Sequence, residues 1–101
     1  MNRKVIAIDY DDTISLDVDV WRQIISLLSS LGFSVYVVTY RESTKFDDMA
    51  MDIDGVIDYL FTNNTAKKKY CSEIVGIEVD VWIDDCPASV LFDYKELLKH
   101  I

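Results

Sequence analysis

Short runs of continuous apolar, β-branched residues alternate along this chain with segments of helical periodicity, and that alternation leaves few folds open. Val5-Ile6-Ala7-Ile8 has no polar partner at every second position, which suits a central strand covered on both faces. Asp17 is placed to cap a helix whose apolar stripe is Val20, Trp21, Ile24, Ile25, Leu28 and Leu31, and Gly32 stands where a helix C-cap glycine belongs. Residues 33–39 read as a second buried strand. Ser43 opens a short helix through Met51, Asp54-Gly55 marks a turn, and Tyr59-Leu60-Phe61 is a short strand. Thr65 caps a third helix that ends near Gly76, and residues 79–83 form a fourth strand. Pro87 suits the first turn of a last helix, with Val90, Leu91, Tyr94, Leu97 and Leu98 inward. The order βαβαβαβα predicts an α/β fold: a three-layer, doubly wound, Rossmann-like and mostly parallel sheet with helices on both faces. The 101 residues fit one domain, residues 1–101.

In such a sheet, ligands bind beyond the carboxyl ends of the strands. The residues just past each strand are therefore informative. Asp9-Tyr10-Asp11-Asp12-Thr13 comes after the first, Thr39-Tyr40-Arg41 after the second, Lys67-Lys68-Lys69 after the third at a helix start, and Asp84-Asp85 after the fourth. Clustered carboxylates repel one another and call for a cation. A small set of hard oxygen ligands favours Mg²⁺. A metal, an ammonium and a hydroxyl together suit phosphoryl transfer, with one carboxylate as nucleophile and a second as acid/base. Helical spacing places Lys67 on the same face as Tyr70, Cys71 and Ile74, with Lys68 as second choice and Lys69 turned away.

Composition narrows the rest. A net charge of −8 argues against general nucleic-acid binding. No apolar run approaches the ~20 residues of a membrane span, so the expectation is a soluble, cytoplasmic protein without a membrane partner. Cys71 and Cys86 form no disulfide framework, and a single histidine, His100, rules out most Ser-His and Cys-His designs. His100 is expected in the last turn of a helix. The three glycines are scattered, so no phosphate-binding glycine loop is present. Ile14 and Val20 stand where a calcium loop from Asp9 needs Gly and Glu.

The four segments in this order resemble the aspartate-nucleophile phosphatases of the haloacid dehalogenase superfamily. An apolar strand followed by D-x-D-x-T, read as Asp9, Asp11 and Thr13, resembles the first motif. Thr39 at a strand end resembles the second, a lysine at a helix start the third, and Ile83-Asp84-Asp85 the fourth. The resemblance runs from Val5 to Asp85 and implies strand order 3-2-1-4. It implies that Asp9 forms an aspartyl phosphate and that Asp11 protonates the leaving oxygen, then activates water. It implies Mg²⁺ on Asp9, Asp84 and the backbone carbonyl of Asp11, with Asp85 nearby or on a metal-bound water. Thr13, Thr39, Arg41, Lys67 and Lys68 are the phosphate- and substrate-binding candidates.

Relatives often carry a cap domain. Here Thr13 leads almost directly to the helix at Asp17, and one helix and one strand use up residues 40–66, which predicts a capless, open site. A homo-oligomer or another partner would then close it. Expected substrates are a phosphorylated small molecule, a nucleotide or a phosphorylated macromolecule end. The alternative is a non-catalytic module of the same fold that binds Mg²⁺, phosphate or a protein. A receiver-like signalling domain fits poorly, because Thr62-Asn63-Asn64 comes after the third strand, where an aspartate is needed. Taken singly, each segment has a plainer reading: an acidic turn, a strand-end threonine, a solvated lysine run, an aspartate N-cap. Asp47, Asp48, Asp52, Asp54 and Asp58 read as surface charges.

Overall fold

The computed structural model describes residues 3–45 and 47–99. Four strands, β1 (Val5–Ile8), β2 (Ser34–Thr39), β3 (Val56–Phe61) and β4 (Val81–Ile83), form one sheet in the order β3-β2-β1-β4. Every pairing is parallel, as the alternation of elements predicts. Ile6 and Ile8 face a core with Ile25, Val35, Val37, Met49 and Ile53. Ala7, between them, faces a second core with Val38, Leu60 and Cys71. The unbroken apolar run of β1 thus reflects cover on both sides. Among the described residues no helix is long and apolar enough to cross a membrane.

Helix α1 (Val18–Ser30) starts at Asp17, whose carboxylate accepts from the Val20 amide at 3.1 Å. The inward stripe differs from the one expected. Val18, Trp21, Ile25 and Leu28 pack on the sheet, whereas Val20 and Leu31 are exposed. Gly32 takes φ +95°, as a glycine just past a helix end does.

The helix expected from Ser43 to Met51 does not form. Turns replace it on both sides of residue 46, because side chains from elsewhere claim this backbone. The Tyr10 hydroxyl accepts from the Ala50 amide at 3.0 Å and donates to the Asp48 carbonyl at 3.4 Å. The Ile53 amide donates to the Tyr59 hydroxyl at 3.1 Å, and Arg22 donates to the Asp52 carbonyl. These partners satisfy groups that a helix would otherwise pair.

Beyond β3, which is longer than expected, α2 (Lys67–Lys69) runs into wider π-type turns over Tyr70–Val75. Thr65 does not cap it; the Ala66 amide donates instead to the Asp93 carboxylate at 2.7 Å. The wider turns also rotate Ile74 into solvent, where regular helical spacing would have kept it beside Cys71. The last helix is broken into α3 (Ala88–Leu91) and α4 (Tyr94–Leu97). Phe92 is extended, its carbonyl accepts from the Tyr40 hydroxyl, and the next amide but one, Tyr94, donates to the Asn64 carbonyl at 2.8 Å. Val90 and Leu97 are buried, but Leu91, Tyr94 and Leu98 are exposed. The expectation for His100 lies outside the described residues.

Candidate active site

Strand register brings the acids together. Ile8 pairs with Ile83, so Asp9 and Asp84, one residue further on, emerge side by side from β1 and β4. The Asp9 amide donates to the Ile83 carbonyl at 2.9 Å and closes the pair. Lys67, the first residue of α2, reaches between them. Its Nζ lies 2.8 Å from Asp9 Oδ1 and 2.5 Å from Asp84 Oδ2. All three side chains are almost fully buried.

The surrounding bonds fix each carboxylate. Asp84 also accepts from Ser89 Oγ at 3.1 Å and from the Cys86 amide at 2.9 Å. Thr13 Oγ1 lies 3.4 Å from both Asp9 Oδ2 and Asp85 Oδ1. Burial pushes the Asp9 carboxyl up to about 7; Lys67 opposes this, while the neighbouring Asp85 and Asp84 carboxylates add to it. A buried acid in that condition gains most from a further positive charge.

Asp9, Asp84 and Asp85 each offer a carboxylate oxygen within 4.8 Å of the others. Three carboxyl groups against the single Lys67 ammonium leave the cluster net negative, all on hard oxygen donors. That donor set fits a small divalent cation of the Mg²⁺ kind.

Asp11 stands at the mouth, half exposed, gripped by Arg41: Nη2 to Oδ1 at 2.6 Å and Nε to Oδ2 at 3.0 Å. Arg41 is itself held by Asp48 and the Lys45 carbonyl and lies 5.6 Å from the Tyr10 ring centroid. Its two carboxylate partners push the guanidinium pKa further up, and Asp48 is lowered in return. Thr39 is fully buried, with Oγ1 3.5 Å from Asp11 Oδ2, and accepts from the Arg41 amide at 3.2 Å.

The cleft, about 210 Å³, is lined by Asp9, Asp11, Lys67, Asp84, Asp85 and Tyr40, among others. Thr13 and Thr39 sit beneath it. Lys68 does not join them; it is exposed on a separate groove beside Lys69 and Leu91. Sequence reasoning missed four contributors. Ser89 lies five residues after Asp84 and carried no motif. Asp48 is the exposed charge expected, but its carboxylate also accepts from Arg41. Tyr40 walls the cleft, 5.5 Å from Lys67 Nζ and edge-on to Tyr94 at 6.3 Å. Asp93 anchors the start of the lysine helix. Only Tyr40, inside the Thr39-Tyr40-Arg41 segment, carried a local signal.

Comparison with family models, curated proteins and solved structures finds no match for this chain.

Proposed function

We propose that this chain is a capless, Mg²⁺-dependent phosphomonoester hydrolase of the haloacid dehalogenase kind, with Asp9 as nucleophile. The observation that carries the reading is Lys67 set between the buried Asp9 and Asp84 carboxylates, with the Asp85 carboxylate beside them. A purely structural acid pair is ordinarily satisfied by its own cation. Here a third acid remains, and the whole group faces a cleft.

In this reading an Asp9 carboxylate oxygen forms a bond to phosphorus as the ester P–O bond breaks. Asp11 gives the leaving oxygen its proton. Asp11 then takes a proton from water, the water oxygen bonds to phosphorus, and Asp9 is released with inorganic phosphate. Lys67 and Thr39 hold phosphoryl oxygens, and Arg41 meets the substrate at the mouth. Asp9, Asp84, Asp85 and the Asp11 carbonyl would hold Mg²⁺, which supplies positive charge against the acids and the phosphoryl oxygens. Only four residues separate Thr13 from α1, and residues 40–45 and 47–55 hold no helix or strand, so among the described residues no cap covers the cleft. An open site suits a phosphorylated small molecule, a nucleotide or a phosphorylated macromolecule end. A cytoplasmic setting, where both free cysteines stay reduced, completes the reading.

One observation favours a second reading. Arg41 grips both oxygens of Asp11, as it would in a module that binds Mg²⁺ and phosphate without turnover. Hydrolysis of an aryl phosphate separates the two. Turnover with Mg²⁺ that is lost in EDTA and in Asp9→Asn supports the hydrolase. Mg²⁺ binding without turnover supports the module, and turnover that survives Asp9→Asn refutes the assignment of Asp9.

A further inference from the structure

Arg41 has no idle hydrogen. A guanidinium offers five N–H donors in one plane, and all five are engaged. Nε donates to Asp11 Oδ2 at 3.0 Å and Nη2 to Asp11 Oδ1 at 2.6 Å. Nη2 also donates to Asp48 Oδ2 at 3.3 Å, and Nη1 donates to Asp48 Oδ1 and, at 3.2 Å, to the Lys45 carbonyl. One edge of the fork thus holds Asp11 and another holds Asp48, each through two parallel bonds.

Both ends of this bridge are anchored. The Arg41 amide donates to Thr39 Oγ1, and the Arg41 carbonyl accepts from the Asn63 amide at 3.3 Å, where Asn63 and Asn64 take positive φ. The guanidinium also lies against the Tyr10 ring. The Asp48 side chain is 75 % exposed, but its backbone is held. Its carbonyl accepts from the Tyr10 hydroxyl, and the next residue, Met49, is buried in the core. Tyr10 directly precedes Asp11. The contacts Tyr10–Asp48, Asp48–Arg41 and Arg41–Asp11 therefore close a ring on the first acidic segment. An exposed ion pair by itself contributes little, since two long side chains lose freedom to form it. Here the aspartate is short, its backbone is held and the guanidinium is planar, so less freedom is lost.

Asp11 needs such a brace. It is half exposed, and the next residue, Asp12, turns the chain at φ +59°. Besides Arg41, its carboxylate bonds among the described residues only to Thr39 Oγ1, at 3.5 Å. A group that exchanges a proton with a substrate oxygen has to hold its direction, because a misplacement of about 1 Å can cost about 10²-fold in rate.

We propose that Asp48 is a positioning residue, which fixes the Asp11 carboxylate at the cleft through Arg41. This rests on the hydrolase reading, in which Asp11 exchanges a proton with the leaving oxygen. It also accounts for the turn that stands where a helix was expected, since that turn presents Asp48 to the guanidinium. A substrate that meets Arg41 must share one of these donors or displace a carboxylate from it.

Steady-state kinetics on the full chain with Mg²⁺ tests the proposal with an alkyl phosphate and a nitrophenyl phosphate. Asp48→Ala should lower kcat for the alkyl ester roughly tenfold, the low end for loss of a partner that orients a site group. KM should hold, and the nitrophenyl ester, whose leaving oxygen has little need of a proton, should lose little. Added to Asp11→Asn, Asp48→Ala should change nothing further, since both act through one carboxylate. Asp47→Asn removes a charge one residue away and should match wild type. Equal losses on the two esters, additive losses in the double variant, or the same loss in Asp47→Asn overturns the proposal.

The bridge is also read without turnover. The chain has three arginines, so loss of a signal in Arg41→Lys assigns the Arg41 Nε–H in a nitrogen-15 NMR spectrum. That hydrogen should exchange slowly with water in wild type and faster in Asp48→Ala. A signal that Asp48→Ala leaves unchanged overturns the proposal. A wild type without turnover refutes the hydrolase reading, and the exchange rate then decides by itself whether Asp48 holds Arg41.

Discussion

Lys67 shows how far a single residue could be read in advance. Its spacing to Cys71 places it inward in any helical arrangement, and the structure buries it between Asp9 and Asp84. Lys68, which spacing left as second choice, is exposed in the structure. The partners of Arg41 were not legible, because Asp48 is close in sequence but reaches Arg41 only through turns that local periodicity did not predict. The Arg41–Asp11 pair has a consequence for chemistry. If Asp11 protonates the leaving oxygen, its removal matters most where the leaving group is a poor one. Asp11→Asn should lower kcat for an alkyl phosphate about 10²- to 10⁴-fold, the usual range for a general acid, and much less for a nitrophenyl phosphate. Equal losses on both substrates would assign Asp11 to metal or substrate binding instead.

Among the elements, the strands were the most legible and the connections the least. Continuous β-branched runs identify buried strands because cover on both faces removes the polar alternation. The stretch from Ser43 to Met51 looked helical, but long-range bonds from Tyr10 and a side-chain bond from nearby Arg41 hold its turns. The last helix likewise breaks where Phe92 and Tyr94 bond to Tyr40 and Asn64. Those breaks build the wall of the cleft, so local regularity is lost where the site needs fixed positions. Gly55 is a connection the sequence did mark. It sits at φ +92°, and an added Cβ would lie 3.0 Å from Ser29 Cβ on α1. Gly55→Ala should therefore destabilise the fold by roughly 1–3 kcal/mol through backbone strain and this contact. Chemical denaturation measures it; an unchanged midpoint would mean that the turn does not set the fit of α1 against β3.

At the scale of the whole molecule, parallel order and the gathering of four strand ends were legible because right-handed crossovers leave little choice. The outward flank of α1 was not, since its residues satisfy the same helical period as the core stripe. The buried acids also set how stability responds to pH. The folded chain holds the Asp9 proton up to about pH 7, against an ordinary value of 3.8. Protonation of Asp9 thus stabilises the fold, fully below about pH 4, and this contribution is lost as pH rises through about 7. In EDTA the melting temperature should fall between about pH 5 and pH 8 by more in wild type than in Asp9→Asn, the difference amounting to a few kcal/mol. Mg²⁺ at neutral pH should restore much of that loss in wild type alone. Parallel pH profiles for the two chains, with no response to Mg²⁺, would contradict a cation site at these carboxylates.

The central claim is that Asp9 itself bonds to phosphorus, and trapping the intermediate tests it most directly. The protein is mixed with excess aryl phosphate and Mg²⁺, quenched in acid, reduced with borohydride and digested. Peptide mass spectrometry should then find homoserine at position 9, the reduction product of an aspartyl phosphate, and none in the EDTA control. Reduction at Asp11, Asp84 or Asp85 during turnover, or at no residue, would contradict the account.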